Sequence, residues 1–299
     1  MSTDGLVVVD KPAGWTSHDV VAKLRGVFGQ KRVGHAGTLD PDATGVLLVG
    51  LGRFTRCLRY LQEAGKSYRA TISFGVATDT LDAAGAVLER EPMSIAPEDV
   101  ERAMPCFVGA IEQIPPMVSA VKIGGRRLHE LARRGEEVER PARPVRVERF
   151  TLESFEPGPY PEATVLVDCS SGTYVRVLAA DLGVALGGCA HLKTLRRLSV
   201  GAFTLDEAHP LEEVQKRNTE LVLSPAEAMR GLERVAVAGE TVRAVSHGAT
   251  FPAVGLVGAN GGPGPFAVVD ENDTLLAVYE RRGAGVKPAV VLVTAENQR

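Results

Sequence analysis

Gly34-His35-Ala36-Gly37-Thr38-Leu39-Asp40-Pro41-Asp42-Ala43-Thr44-Gly45 fixes one carboxylate in a glycine- and proline-punctuated turn, immediately before an apolar strand from Val46 to Val49. The three glycines supply backbone angles forbidden to other residues, while Pro41 fixes its own φ and steers Asp40 away from the helical region. Asp40 is thus oriented by the backbone, and a held carboxylate at a strand mouth points to chemistry. The plainer reading is an Asp-Pro that caps a surface turn. A phosphate-binding P-loop is excluded, because no Gly-Lys-Ser/Thr triplet follows Gly34 or Gly37. An EF-hand starting at Asp40 would need Glu at its twelfth position, where Leu51 stands in an apolar strand.

Outward from this turn, the chain has room at 299 residues for one large and one small domain. Its apolar and charged fractions are those of a soluble globular protein, and no apolar run approaches the ~18 residues of a membrane span. The start MSTDGLVVVDKPAG has no signal-peptide pattern, so the expected compartment is the cytoplasm, with no membrane partner. Cys57, Cys106, Cys169 and Cys189 are scattered, form no C-x-x-C pair and do not cluster with histidines at zinc spacing. They read as reduced thiols, and no metal site is expected.

The element pattern is mixed α and β. Leu6 to Val9 reads as a strand, after which Thr16 and Asp19 form a capping pattern. Val20, Val21, Leu24, Val27 and Phe28 then repeat with helical spacing. Tyr68 to Phe74 alternates as a half-buried strand, TDTLDAAG (Thr78 to Gly85) has turn composition, and Ala96-Pro97-Glu98-Asp99 opens a short helix. Ala163 to Cys169 predicts a strand and Thr173 to Leu186 a helix ended by Gly187-Gly188, which puts Arg176 near the helix start. Ser224-Pro225-Ala226-Glu227 is a capping box for the last helix of the main domain. Beyond Gly231 the chain reads as a small β domain, with a hairpin about Glu271-Asn272-Asp273, a final strand from Val290 to Val293, and a flexible loop from Gly258 to Pro265.

A formal net charge of -3 gives a whole-protein field that does not attract a polyanion. Local distribution has to carry any claim of nucleic-acid binding. From Lys122 to Arg149 there are nine Lys/Arg, including Arg126, Arg127, Arg133 and Arg134, against five Glu. That makes it the candidate RNA-facing segment. The alternative is a solvated helix whose Glu130, Glu136, Glu137 and Glu139 neutralise much of the charge.

GHAGTLDPDATGVLLVGLGRFTR resembles the catalytic-aspartate motif of the TruB family, the tRNA pseudouridine-55 synthases. VVDKPAGWTSHDVV, KSYRA, TDTLDAAG, IPPMVSAVKIGGRRLHELARRG, CSSGTYVRVLAADLGVALG and LRRLSVGAF resemble further family blocks in the same order and spacing, so that roughly residues 5 to 230 are covered. The resemblance implies an α+β fold: a pseudouridine-synthase catalytic domain (1–231) with a mixed, mainly antiparallel sheet flanked by helices and loops, carrying a basic RNA-contacting insertion at about 120–149. A short, divergent, β-rich PUA-like domain (232–299) would follow. It implies isomerisation of the T-loop uridine at position 55 of tRNA, with the T-arm and elbow bound, the base flipped out, and neither a cofactor nor an obligatory protein partner.

By the same resemblance Asp40 is the catalytic aspartate, whether it attacks C1′, adds to C6 or assists a glycal intermediate. Arg176 pairs with that aspartate, and Tyr68 stacks on the target base and assists C5 deprotonation. Tyr174 and Leu195 line the base pocket, His35 fills the space the uridine leaves, and Lys11 lies near the site as a phosphate contact or as a plain exposed turn lysine. Three positions depart from the family pattern: Val118 and His129 stand where Tyr is usual, and Asp42, where an apolar residue is usual, either crowds Asp40 or points outward. Two other functions compete. One is a guide-RNA-dependent rRNA pseudouridine synthase, which shares the Asp motif; the other is a tRNA elbow-binding folding chaperone that needs no catalysis.

Overall fold

A computed structural model describes residues 3–119, 121–128, 131, 134–136, 138–258 and 261–293, with backbone alone for Lys122, Ile123 and Arg127. The chain opens with β1 (Gly5–Lys11), α1 (Ser17–Val27), β2 (Val33–Ala36), β3 (Thr44–Leu51), a 3-10 turn (Gly52–Cys57) and α2 (Leu58–Gln62). Next come β4 (Lys66–Phe74), β5 (Val76–Thr78), β6 (Val87–Arg90), α3 (Pro97–Ala103), β7 (Gly109–Gln113), β8 (Lys122–Ile123) and β9 (Arg126–Arg127). They are followed by β10 (Arg143–Glu156), β11 (Glu162–Cys169), α4 (Val175–Ala185), β12 (Ala190–Val200), β13 (Phe203–Thr204), β14 (His209–Pro210), α5 (Leu211–Arg217) and α6 (Pro225–Ala228). The last part holds β15 (Glu233–Ala236), α7 (Glu240–Ser246), β16 (Phe251–Pro252), α8 (Ala253–Val257), β17 (Phe266–Val269), β18 (Leu275–Arg282) and β19 (Gly285–Val291).

Two compact units divide these elements. The first comprises Met1–Pro41, Val46–Gln62 and Gly201–Arg299; the second comprises Asp42–Gly45 and Glu63–Val200. In the first unit β1 runs parallel to β14 and β2 runs antiparallel to β3. Val20, Val21 and Leu24 of α1 share one helical face and bury against Val7, Val9, Leu47, Val49 and Leu211. Each such buried side chain contributes roughly 1.5–3 kcal/mol by leaving water. The expected cap is present: Thr16 Oγ1 accepts from Asp19 N (3.0 Å), while the Asp19 carboxylate accepts from Thr16 N (2.9 Å). The capping box at Ser224 is present too, but its helix, α6, runs only from Pro225 to Ala228.

The expected β-rich tail is a five-stranded sheet in the order β15-β17-β18-β19-β16, around a core that includes Val245, Phe266, Val268, Leu276, Tyr279 and Val286. The hairpin about Glu271-Asn272-Asp273 joins β17 to β18. Arg53 and Arg56, in the 3-10 turn, donate to the carbonyls of Leu292 (3.1 Å) and Val291 (2.8 Å). In the loop from Gly258 to Pro265, the carbonyls of Gly261 and Gly262 accept from Arg281 at 2.6 and 2.7 Å.

The second unit is built on the antiparallel order β12-β4-β11-β10-β7. Thr44 and Gly45 run parallel to Arg196 and Arg197 of β12. Alternation along β4 buries Tyr68, Ala70 and Ile72 on one side and leaves Ser67, Arg69 and Thr71 on the other. Mixed pairing, mainly antiparallel, with helices and a separate β-rich tail is the expected fold class. The end of the basic segment is sheet: Arg143, Arg146 and Arg149 belong to β10.

The glycines of the opening stretch act in two ways. Gly37 and Gly45 have φ of +85° and +101°, as their conformational role requires. Gly34 does not have a positive φ; a Cβ there would lie 3.3 Å from Leu58 Cδ1, so its bareness makes room for α2. At Gly45 a Cβ would lie 2.2 Å from the Arg197 carbonyl oxygen. Gly45→Ala is therefore expected to lower the unfolding free energy by about 3 kcal/mol or more, from backbone strain plus displacement of β12. Urea denaturation of the variant checks this.

Candidate active site

The turn that carries Asp40 is fastened on both sides of that residue. On one side Ser17 Oγ, at the start of α1, accepts from Leu39 N (2.9 Å) and donates to the Leu39 carbonyl (3.2 Å). On the other, the Pro41 carbonyl accepts from Gly14 N (3.0 Å) and from Lys11 Nζ (2.9 Å). Lys11 corrects an expectation: it is 0% exposed, and its ammonium also donates to the carbonyls of Pro12 (2.9 Å) and Trp15 (2.6 Å). It is neither an exposed turn lysine nor an open phosphate contact, because three backbone carbonyls take up its three donors. Asp40 is half-buried, whereas Asp42 is exposed and points outward.

His35 lies in β2, half-buried, with its ring edge-on to that of His18 at 5.1 Å. Its backbone carbonyl accepts from Gln62 Nε2 (3.4 Å) at the end of α2. Asp40, His35 and Lys11 thus belong to the first unit, while Tyr68, Tyr174, Arg176 and Leu195 belong to the second.

In the second unit Arg176 occupies the first turn of α4, 5% exposed, and its guanidinium donates to Asp82 Oδ2 (2.9 Å) and to the carbonyls of Val118 (2.9 Å) and Thr80 (3.3 Å). Asp82 is thus a carboxylate partner of Arg176 that the sequence did not announce. Asp82 is itself tied down, accepting from Thr80 Oγ1 (2.6 Å) and Ala84 N (3.1 Å), in a loop bridged to Leu192. Tyr174 caps α4 through its backbone: the buried amide of Gln113 accepts from Tyr174 N (2.9 Å) and donates to its carbonyl (3.2 Å). Val118, one of the departures from the family pattern, thus contributes a carbonyl to Arg176.

Tyr68, 8% exposed, stands between Arg197 of β12 and Val167 of β11 in the sheet register. Its side chain is hydrogen-bonded to that of Arg197, which is 1% exposed. Leu195, opposite Ala70, is half-buried. Sequence reasoning missed Ser17, Asp82, Gln113 and Arg197. The repeated Thr and Asp of TDTLDAAG and the paired Arg196-Arg197 on an alternating strand were the available signals, since one residue of such a pair has to face inward.

Burial shapes the charges beside Tyr68. Lys66, two residues earlier on the same side of β4, is brought down to about 8 by burial and then by the Arg197 cation. Cys169, paired with Lys66 across β11, is pushed up to about 11 by burial, so its thiol stays protonated at neutral pH.

In the basic segment Arg126 pairs with Glu136 (3.4 Å), Arg146 lies 3.9 Å from Glu148, and Arg149 pairs with Asp168 (2.7 Å). Arg134 is exposed. Arg133, His129, Glu130 and Glu137 lie outside the described residues, as does the side chain of Arg127.

Two family profiles match adjoining stretches of the chain: "TruB family pseudouridylate synthase (N terminal domain)" over residues 25–175 and "tRNA pseudouridylate synthase B C-terminal domain" over residues 176–236. A tRNA pseudouridine synthase B of Thermobifida fusca is 45% identical over 294 residues, 96% of this chain and 98% of that protein. One of Symbiobacterium thermophilum is 50% identical over 252 residues, 84% of each. Among solved structures, a chain of a Cbf5-Nop10-Gar1 complex superposes with a TM-score of 0.76 at 26% identity, covering 98% of this chain and 86% of that one.

One prediction follows from Lys66 alone. Its native value of about 8 lies below the ordinary 10.5, so below pH 8 both states are charged and the native state bears the full burial cost, about 3 kcal/mol for that gap. Between pH 8 and 10.5 the native lysine is neutral while the unfolded one is still charged, and the cost disappears as the pH rises. Lys66→Met is expected to stabilise the protein by up to about 3 kcal/mol at pH 7 and by much less at pH 10.5. Urea titrations at the two pH values test it.

Proposed function

The chain belongs to the TruB family of pseudouridylate synthases, and from that premise we propose that it isomerises the T-loop uridine at position 55 of tRNA to pseudouridine, with Asp40 as the essential carboxylate. The observation that carries this reading is the double fastening of the Asp40 turn, by Ser17 at Leu39 and by Lys11 and Gly14 at Pro41. A carboxylate held from both neighbours is pre-oriented, as a nucleophile or charge-stabilising group has to be.

The reaction breaks the bond from N1 to C1′, turns the detached uracil, joins C5 to C1′, removes the C5 proton and places a proton on N1. It is a net isomerisation, with no oxidant and no phosphate donor. Asp40 carries the negative charge that the sugar or the base requires. Arg176, held by Asp82, brings a buried guanidinium that favours an ionised carboxylate in a desolvated site. Tyr68 stacks on the extruded base and takes the C5 proton, and stacking at ~1–3 kcal/mol offsets part of the few kcal/mol that flipping costs. Tyr174 and Leu195 line the pocket, and His35 fills the gap in the RNA loop.

The tRNA is bound by its T-arm and elbow, in the cytoplasm, without an obligatory protein partner. Residues 1–231 carry catalysis, and residues 232–299 form a short PUA-like module. The guide-RNA reading gains nothing from the relatives at 44–50% identity, which bear the name tRNA pseudouridine synthase B. Retention of Asp40, Tyr68 and Arg176 together favours turnover over a chaperone without catalysis.

Two outcomes are expected. Tritium is released from a tRNA transcript carrying [5-³H]uridine by the wild type, and release is abolished by Asp40→Asn or by cytidine at position 55, with tRNA affinity of the variant within a few fold. Retained release by Asp40→Asn, or a parallel loss of binding, removes the assignment. Separately, converting Arg133 and Arg134 to Gln is expected to reduce the log-log salt slope of tRNA binding by about 1–2, one per lost phosphate contact. An unchanged slope returns the segment to a solvated surface.

A further inference from the structure

Arg197 heads the fully buried side chains of the described residues by volume, at 1% exposure. It stands opposite Tyr68 in the register of β12 and β4, and the two side chains are hydrogen-bonded. A guanidinium has five N–H donors and no acceptor, so the Tyr68 oxygen is the acceptor in that bond. This direction leaves the phenol's own proton to point elsewhere, and it sets a full positive charge behind the oxygen. Opposite charge nearby favours the ionised form of an acid.

The position of Arg197 is fixed from the catalytic motif. Gly45, five residues after Asp40, packs so closely on the Arg197 backbone that an added Cβ would lie 2.2 Å from its carbonyl oxygen and 2.8 Å from its nitrogen. The field of Arg197 also reaches along β4, where it helps bring Lys66 down to about 8. Lys66 lies two residues away on the same side of β4, Cys169 of β11 stands opposite Lys66, and α4, which carries Arg176, packs on β4.

We propose that Arg197 is a positioning residue for pseudouridine formation, its buried guanidinium holding the Tyr68 oxygen as an acceptor poised to take the C5 proton. This rests on the role given to Tyr68 above. In the step, the C5 proton passes to the ionised Tyr68 oxygen, the C–H electron pair becomes the C5–C6 double bond as the N1–C6 double bond opens onto N1, N1 takes a proton from water, and the phenol later returns its proton to water. Arg197 touches neither base nor sugar and acts through Tyr68.

The test is single-turnover tritium release from [5-³H]uridine tRNA by Arg197→Met, Arg197→Lys, Tyr68→Phe and the Arg197→Met/Tyr68→Phe double variant. Arg197→Met is expected to slow release roughly ten- to a hundredfold, the range for a hydrogen bond to a charged group, with the tRNA Kd within a few fold. Arg197→Lys restores part of the rate, and the double variant is no slower than Tyr68→Phe. NMR of protein labelled with [¹³Cζ]tyrosine, with Tyr68 assigned by its loss in Tyr68→Phe, is expected to show Tyr68 ionising at lower pH in the wild type than in Arg197→Met; Arg197→Lys serves if the Met variant does not fold. Rate losses that multiply in the double variant, or a Tyr68 titration unmoved by either substitution, overturn the proposal while leaving Tyr68 in place. A Tyr68→Phe enzyme that releases tritium at the wild-type rate overturns both.

Discussion

The Lys11 ammonium with its three carbonyl acceptors is the constraint on which the Asp40 turn depends. A lysine taken fully out of water is costly unless its charge and all three donors are satisfied. The carbonyls of Pro12, Trp15 and Pro41 satisfy them at 2.6–2.9 Å. These carbonyls come from the turn after β1, the approach to α1 and the residue after Asp40, so one cation joins three segments of chain that have no regular ladder between them. The Ser17 contacts to Leu39 complete the hold from the helix side. Asp40 then has little freedom that is not set by its neighbours, which is the pre-orientation that catalysis by a carboxylate demands.

The second unit solves a related problem by other means. Arg176 and Arg197 are both buried cations, and each is held by groups from distant parts of the chain: Arg176 by Asp82 and two carbonyls, Arg197 by the Tyr68 hydroxyl. Breaking one partner of such a buried arrangement leaves a charge stranded and is far more damaging than the arrangement is stabilising. Their value therefore lies in geometry. The loop from Thr78 to Gly85 is worked into this scheme, since the carboxylate that fixes Arg176 is anchored by Thr80 and Ala84 within that loop.

Local chemistry was readable in the sequence wherever its cause is local. The glycine and proline pattern around Asp40, the Thr16–Asp19 cap, the helical spacing of Val20, Val21 and Leu24, and the alternation of β4 each arise from neighbours within a few residues. The strand before Gly172 and the helix carrying Arg176 were legible for the same reason. What stayed hidden depends on long-range pairing. Nothing near Arg176 announces Asp82, 94 residues away. Lys11 reads as a polar turn residue because the carbonyl that buries it arrives from 30 residues further on. Alternation requires one of Arg196 and Arg197 to face inward, but only the pairing with β4 decides which.

The distribution of charge on the second unit's sheet then explains how a chain with a net negative charge can have a polyanionic substrate. On the side of β4 away from Tyr68, Arg69 pairs with Glu153 on β10 (2.5 Å), Arg149 with Asp168 on β11 (2.7 Å), and Lys193 with Glu162 (2.5 Å). Partly exposed pairs of this kind contribute little to stability. Their effect is on the field: each of these three cations is matched by a carboxylate at hydrogen-bond distance, which cancels much of their attraction for phosphate, while Arg196, in register with Arg69 on this face, donates to Thr44 Oγ1 (3.2 Å). On the Tyr68 side of β4 lie Lys66 and Arg197, both buried: Lys66 donates to the Ala64 carbonyl (2.6 Å), and Arg197 is hydrogen-bonded to Tyr68. Specific recognition in this protein is therefore a matter of where positive charge is left uncancelled and what it is aimed at, and the bulk charge of the chain says nothing about it.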